Sequence, residues 1–171
     1  MNTKFKAVAG IAVAAAGVVL LAPAASANPS DKPCDISDLT VSVTPDPTSS
    51  AGQQAYVIHY VAAGGHTNCK LQGIPTAVTF TKGSGHGEGD GSGIGVVPDD
   101  PSGDSSVPVN VQPGKPAESR ILMASQAPVT FVPSVVNLNL PIPGGDTVTV
   151  GWPEGAPLKG ESVEVTAVSA A

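Results

Sequence analysis

Basic residues are scarce in this sequence. The 171 residues include 8 lysines and arginines against 14 aspartates and glutamates, and only 13% of the chain is charged. Binding to nucleic acid or to an anionic lipid surface depends on clustered lysine and arginine that neutralise phosphates. The chain has no such cluster, so the sequence predicts neither a nucleic-acid partner nor electrostatic attachment to a membrane.

Aromatic residues are also few, at 4% of the chain. A carbohydrate-binding platform commonly presents exposed rings, but most of the rings here fall in alternating segments where a core would take them. Trp152 stands directly before Pro153 at the end of such a segment. We therefore interpret Trp152 as the one aromatic candidate for a surface anchor.

Only one long apolar run occurs, and it lies near the N-terminus. Two lysines precede an apolar stretch of 16 residues, 7–22, which is shorter than the roughly 20 residues needed to span a bilayer. Small residues at Ala25 and Ala27 then match a signal-peptidase site, and cleavage would leave a mature chain that begins at Asn28. The pattern predicts a signal peptide over residues 1–27.

Export sets the expected location of the mature chain. Residues 28–171 contain no second apolar span, and the first cysteine, Cys34, comes too late for a lipid anchor next to the cleavage site. We expect a secreted, extracellular protein of one domain with no direct membrane anchor. Association with the cell wall would then need a protein or glycan of the envelope as partner.

Cys34 and Cys69 are the only cysteines. In an exported protein an even cysteine count favours a structural disulfide, and neither residue belongs to a C-x-x-C redox pair. Closing a loop of about 36 residues should stabilise the fold by roughly 4 kcal/mol in the chain-entropy model.

Helical patterns are absent from the mature region, which holds 16 of the 17 prolines and 18 of the 20 glycines. Short alternating segments recur instead, with turn residues between them. They are residues 39–43, 56–61, 77–81, 107–111, 117–123, 135–140, 147–152 and 162–168. The pattern predicts an all-β fold, an antiparallel β-sandwich of about seven or eight strands.

Residues 82–106 differ from the rest in composition. Glycine occupies every odd position from Gly83 to Gly95, and aspartates follow. Such a composition buries too little apolar surface to offset the entropy of ordering, so we predict a long flexible loop here.

Two segments carry a family resemblance. Residues 34–41 give a cysteine followed by an alternating strand, and residues 69–75 give a C-x-L-x-G-x-P segment. A strand, Pro-Gly and a second strand follow over residues 109–122. The chain resembles the exported actinobacterial family called domain of unknown function 4232. The resemblance implies an immunoglobulin-like sandwich with one disulfide, and it implies no activity.

The three histidines form no local metal motif. His59 lies in an alternating segment on the face opposite the larger side chains, His66 precedes Cys69, and His86 lies in the glycine run. Zinc sites favour closely spaced His or Cys pairs, which the sequence lacks. We keep His59 and His66 as candidate surface-binding residues and predict no cofactor.

Acidic residues in the glycine-rich segment supply hard oxygen ligands for calcium. They are Glu88, Asp90, Asp99, Asp100 and Asp104. Their spacing matches neither an EF-hand nor a tandem glycine-repeat motif, so a calcium- or metal-binding module is an alternative rather than the leading hypothesis.

The sequence contains no recognisable catalytic motif. No G-x-S-x-G occurs, and the adjacent carboxylates Asp99 and Asp100 lie in a segment with no fixed geometry to tune a pKa. The leading hypothesis is a secreted, non-enzymatic binding module. A hydrolase with an unrecognised active site is the second alternative.

Overall fold

The computed structural model describes residues 32–48, 50, 52–82, 93–100 and 107–171. The predicted signal peptide and its cleavage residues Ala25, Ala27 and Asn28 lie outside these ranges. The described part is all-β, with one 3-10 turn over Ile36–Asp38. Its strands are β1 (Leu39–Pro45), β2 (Gln53–Ala62), β3 (Cys69–Leu71), β4 (Thr76–Thr81), β5 (Gly95–Pro98), β6 (Val109–Val111), β7 (Ala117–Ala124), β8 (Val129–Phe131), β9 (Val135–Asn139), β10 (Thr147–Gly151), β11 (Leu158–Lys159), β12 (Ser162–Val165) and β13 (Ser169–Ala170). None of the described segments is a helix long and apolar enough to cross a membrane.

The larger sheet is built around β2 and β7. These strands pair antiparallel from Gln53 opposite Ala124 to Tyr60 opposite Ala117. The strand order is β1-β2-β7-β12-β5, with β13 also paired to β7. Alternation on β2 places Tyr56, Ile58 and Tyr60 in the core, as the sequence predicts.

A smaller antiparallel sheet has the order β10-β9-β4. Val136 and Leu138 of β9 point into the core, and Asn137 and Asn139 lie on the opposite, outer face. The alternation within residues 135–140 thus gives the strand one core face and one outer face. Two further pairs, β3 with β6 and β8 with β11, complete the described strands.

Residues from both sheets form one hydrophobic core, in an arrangement compatible with the predicted immunoglobulin-like sandwich. Trp152 joins the sheets: its ring centroid lies 4.4 Å from that of Tyr56 and 5.4 Å from that of Phe80. Trp152 is only 6% exposed, and its indole N–H donates to the Ala156 carbonyl at 3.0 Å. The prediction of Trp152 as a surface anchor is therefore wrong, because this ring is also buried in the core.

The described residues form thirteen strands, against the seven or eight predicted. Eight of them have four residues or more, and five have two or three. Of the five short strands only β6 falls in a predicted segment, 107–111, because the other four are too short to show alternation.

The predicted loop over 82–106 is wrong at β5. Gly95–Pro98 pairs in parallel with Ser162–Val165, and the preceding Ile94 is buried. Besides the backbone pairing, Val96 of this strand packs against the core. A Cβ at position 95 would lie 3.4 Å from the Ser162 Cβ, an ordinary van der Waals contact, so the pairing itself does not require a glycine here. Residues 83–92 and 101–106 lie outside the described ranges.

The Cys34–Cys69 disulfide is present, which confirms the predicted pair. Both cysteines are 1% exposed. The Cys34 N–H donates to the Lys70 carbonyl at 3.0 Å, and the Lys70 N–H donates to the Lys32 carbonyl at 2.9 Å. The bridge therefore fixes the segment before β1 alongside β3.

Removing this disulfide should destabilise the fold. We expect Cys34→Ala/Cys69→Ala to lower the free energy of unfolding by about 3–4 kcal/mol, since the unfolded chain regains the entropy of the closed loop. Urea denaturation of residues 28–171 measures this loss. Wild type unfolded with reductant present should match the double variant, and an unchanged unfolding midpoint would contradict the role of the bridge.

Two core tyrosines differ in how their hydroxyls are satisfied. The Tyr56 hydroxyl donates to the Pro157 carbonyl at 3.2 Å and accepts from the Gln54 amide at 2.8 Å. The hydroxyls of Tyr60 and Ser119 are neighbours in the core, but neither meets the geometry of a hydrogen bond with any described group. Burial raises the pKa of the Tyr60 hydroxyl, so Tyr60 stays protonated.

The two tyrosines should respond differently to loss of the hydroxyl. Tyr56→Phe should cost about 1 kcal/mol because it removes satisfied hydrogen bonds, whereas Tyr60→Phe should be neutral or stabilising because it removes an unpaired buried hydroxyl. Chemical denaturation of both variants gives the comparison. A larger loss for Tyr60→Phe than for Tyr56→Phe would show that the Tyr60 hydroxyl has a partner in solution.

Candidate functional site

A cleft of about 690 Å³ opens where β6, the turn before β7 and β13 meet. This volume falls in the range of small-ligand sites. Val107, 73% exposed, stands at its rim, and Val168 is buried at its floor. The lining residues are Asp99, Val107, Pro108, Val109, Asn110, Gly114, Lys115, Pro116, Ala167, Val168, Ser169, Ala170 and Ala171.

A tight turn positions one wall of the cleft. Pro113 and Gly114 connect β6 to β7, as the sequence predicts, and Gly114 adopts a φ of 75°, which a glycine tolerates. Hydrogen bonds between the main chains of Gln112 and Lys115 close the turn at 2.9 and 3.3 Å. The turn thereby holds Lys115 in the lining.

The cleft lies beyond the end of the edge strand β5. This strand pairs with Ser162–Val165 of β12 and stops at Pro98, after which the Asp99 N–H donates to the Val165 carbonyl at 3.0 Å. Since β13 pairs only with β7, no described strand covers its other side. Ser169 and Ala170 of β13 line the cleft.

The cleft offers groups that suit binding. Valine, proline and alanine side chains supply most of its surface, and Asp99 and Lys115 add one charge of each sign. Ser169 and Asn110 add neutral polar groups. Sequence reasoning misses this site: it identifies the Pro113-Gly114 turn, but nothing in the pattern shows that the C-terminal residues return to pair with β7.

The predicted histidine candidates lie in separate places. His59 is on the outer face of the larger sheet, where its Nε2 is 2.8 Å from the Thr44 hydroxyl. His66 is exposed and lines a smaller cleft of about 430 Å³, together with Lys32 and Asp38. Neither histidine lines the larger cleft, and His86 lies outside the described residues.

The acidic candidates are only partly described. Asp99 is exposed in the lining of the larger cleft, and Asp100 follows it. Glu88, Asp90 and Asp104 lie outside the described residues. Among the residues that the structure does describe, no three His, Cys, Asp or Glu side chains are grouped to hold a metal ion.

One arrangement on the larger sheet resembles part of a hydrolytic triad in its residue types. Thr44 and His59 form a hydroxyl–imidazole contact, and Glu118 stands opposite His59 in the strand register. The Glu118 carboxylate, however, accepts a hydrogen bond from Arg120 at 2.9 Å. A triad needs that carboxylate to orient the imidazole, so the geometry here gives a polar surface rather than an activated nucleophile.

Asp46 anchors the same polar surface at one end. Its side chain is 6% exposed, accepts from the Thr48 main-chain N–H at 2.8 Å and hydroxyl at 2.6 Å, and lies 3.7 Å from the Arg120 Nε. The two Thr48 hydrogen bonds, and then the Arg120 charge, hold the pKa of Asp46 below its ordinary value.

The lowered pKa predicts how stability depends on pH. A carboxyl whose pKa is lower in the folded state contributes stability above its unfolded pKa, and that contribution disappears as the pH falls through the folded value. We expect Asp46→Asn to be less stable than wild type at pH 7, with the difference shrinking below pH 3.8, the ordinary aspartate value. Urea denaturation across this range measures it. Thr48→Val keeps the carboxylate but loses the hydroxyl donor, so it should also reduce the dependence of the free energy of unfolding on pH. Parallel profiles of that free energy against pH for Asp46→Asn and wild type would contradict the assignment.

The fold and the cleft define an all-β domain with one buried disulfide and a ligand-sized opening at the edge of its larger sheet. A family model described as "Domain of unknown function (DUF4232)" matches residues 34–169. The chain belongs to this family, as the resemblance in its sequence indicates. The matched range includes both cysteines and most of the cleft. No curated protein and no solved structure matches the chain.

Proposed function

We propose that the chain is an exported, non-enzymatic binding module that holds its ligand in the cleft beside β13. The observation that carries this proposal is the cleft itself: about 690 Å³, mainly apolar, with a few polar groups at fixed places. Such a combination is typical of a binding site, in which apolar contact gives affinity and polar groups give orientation.

An extended protein segment is the ligand that best suits this cleft. Among the described strands β13 pairs only with β7, so an added strand would pair along its other edge, and the surrounding valines and prolines would receive its side chains. Asp99 would favour a basic side chain at one position of that segment, and Lys115 would favour an acidic side chain at another.

Two further observations support the proposal of an exported binding module. Asp99 and Lys115 are charged side chains in the lining, and the described histidines His59 and His66 both lie elsewhere. Export is supported by the N-terminal sequence pattern, and the buried Cys34–Cys69 disulfide suits an oxidising compartment.

Substitution at the rim of the cleft tests the proposal. We expect the mature protein to capture a partner from envelope extract or culture filtrate, and Val107→Asp and Lys115→Glu each to weaken capture at least tenfold. Both residues are exposed, so the fold should be unaffected. Val129→Asp, at an exposed valine away from the cleft, is the matched control and should bind as wild type does.

Three outcomes would contradict the proposal. They are capture of no partner by wild type, equal loss in Val129→Asp, and turnover by wild type in a panel of ester, glycoside and peptide substrates. Calorimetry with calcium and zinc addresses the metal-binding alternative, which a stoichiometric heat of binding would favour.

A further inference from the structure

We propose that the protein segment held in the cleft pairs with the main chain of Ala170 and carries one basic and one acidic side chain, in a fixed order, about five residues apart. This inference rests on the proposed function and adds two things to it. It names the residue that receives the main chain of the ligand, and it names the charge pattern that the ligand must carry.

The pairing of β13 with β7 determines where the main-chain groups of Ala170 point. Ala170 stands opposite Ala117 in the register. The next residue, Ala171, donates its N–H to the Pro116 carbonyl at 3.2 Å. In an antiparallel ladder, a hydrogen bond in this place flanks two opposite residues that do not bond to each other. The N–H and the C=O of Ala170 therefore point away from β7.

The described chain leaves the Ala170 N–H accessible to a ligand. The N–H that points the same way two residues earlier, that of Val168, donates to the Gly73 carbonyl at 2.9 Å. The Ala170 N–H forms no such bond with a main-chain carbonyl of the described residues, and Ala170 is exposed in the lining of the cleft. One donor and one acceptor on the same strand edge are the groups that an added strand pairs with.

Two charged side chains mark the ends of this edge. Asp99 lies where β5 stops, and its N–H donates to the carbonyl of Val165, upstream of β13. Lys115 lies at the other end, directly before Pro116. Both side chains are exposed, and neither forms an ion pair within the part of the chain that the structure describes. Each is thus available to a charge on the ligand.

The register along β7 gives the distance between the two ends. Val165 stands opposite Ile121, and Ala171 bonds to Pro116, five residues away on the same strand. At about 3.4 Å per residue the ends are about 17 Å apart, which is the length of about five residues of an extended ligand. A ligand with one basic and one acidic residue at this spacing satisfies both cleft charges in one order, whereas the reverse order brings like charges together.

Binding of defined peptides to residues 28–171 tests the proposal. The probes are blocked peptides in which valine alternates with serine, with one lysine and one glutamate about five positions apart, in either order. Chemical-shift titration of the isotope-labelled protein gives the Kd of each peptide. We expect one order to bind about fivefold more tightly than the other and to slow hydrogen exchange of the Ala170 amide.

Two variants at Ala170 isolate the main-chain contact. Ala170→Pro removes the N–H that points away from β7, in a position where an edge strand tolerates proline. It should weaken binding of the preferred peptide at least about fivefold, as the loss of a hydrogen bond implies. Ala170→Val keeps the N–H and should bind as wild type does. Circular dichroism and the thermal midpoint check that both variants are folded.

Exchange of the two cleft charges tests the order. Asp99→Lys/Lys115→Asp should reverse the preference, so that the peptide rejected by wild type becomes the tighter ligand. Asp99→Asn/Lys115→Gln is the matched control, which should bind both orders equally. Because both positions are exposed, the fold should be unaffected.

Several results would overturn the inference. They are no binding of either peptide, equal binding of the two orders by wild type, an unchanged preference after the charge exchange, and equal binding by the two Ala170 variants. Failure of the inference is distinguishable from failure of the proposed function. If Val107→Asp weakens capture of a protein partner and Ala170→Pro does not, the cleft is a binding site whose ligand does not pair with Ala170.

Discussion

The pairing of β2 with β7 is the contact on which the rest of this fold depends. The two strands are distant in sequence, yet they pair over eight successive positions, and β1, β12 and β13 all attach to one or the other. Tyr56 and Ile58 of β2 and Ile121 of β7 carry the inner face of this pair into the core. The smaller sheet then packs on that face through Trp152, whose ring lies against both Tyr56 and Phe80. Without this central pair, neither the core nor the outer surfaces would have a support.

Alternation along the strands also determines what the molecule shows to its surroundings. Each strand that buries one set of side chains must present the other set on the outside. On the larger sheet this yields the charged and hydroxyl groups around Asp46, Arg120 and His59. On the smaller sheet it yields an uncharged outer face that carries Asn137 and Asn139. The two outer surfaces therefore differ in chemistry although the same inner core supports them.

The predictable part of the fold is the part that short-range pattern controls. The alternation of Tyr56, Ile58 and Tyr60, the division of β9 at Asn137 and the Pro113-Gly114 turn each follow from a few neighbouring residues. The burial of Trp152 is not predictable in this way, because its ring packs against Tyr56 and Phe80 from other strands, a contact that no local pattern contains. Strand β5 is hidden for a related reason: its backbone is held by β12, more than sixty residues later in the chain. The same holds for the cleft, since Lys115 and Ser169 meet only after β13 has paired with β7.

The outer face of the smaller sheet and the cleft also differ in how the fold supports them. The outer face is centred on β9, which is hydrogen-bonded on both sides, so the sheet fixes the positions of Asn137 and Asn139. The cleft is bordered by β6, of three residues, and β13, of two, each paired on one side among the described strands. Fewer backbone hydrogen bonds hold these borders, and low local stability of this kind is characteristic of binding regions that adjust to individual ligands. A strand added at the edge of β13 would supply the missing pairing, so ligand binding in the cleft would complete the larger sheet where β5 leaves it open.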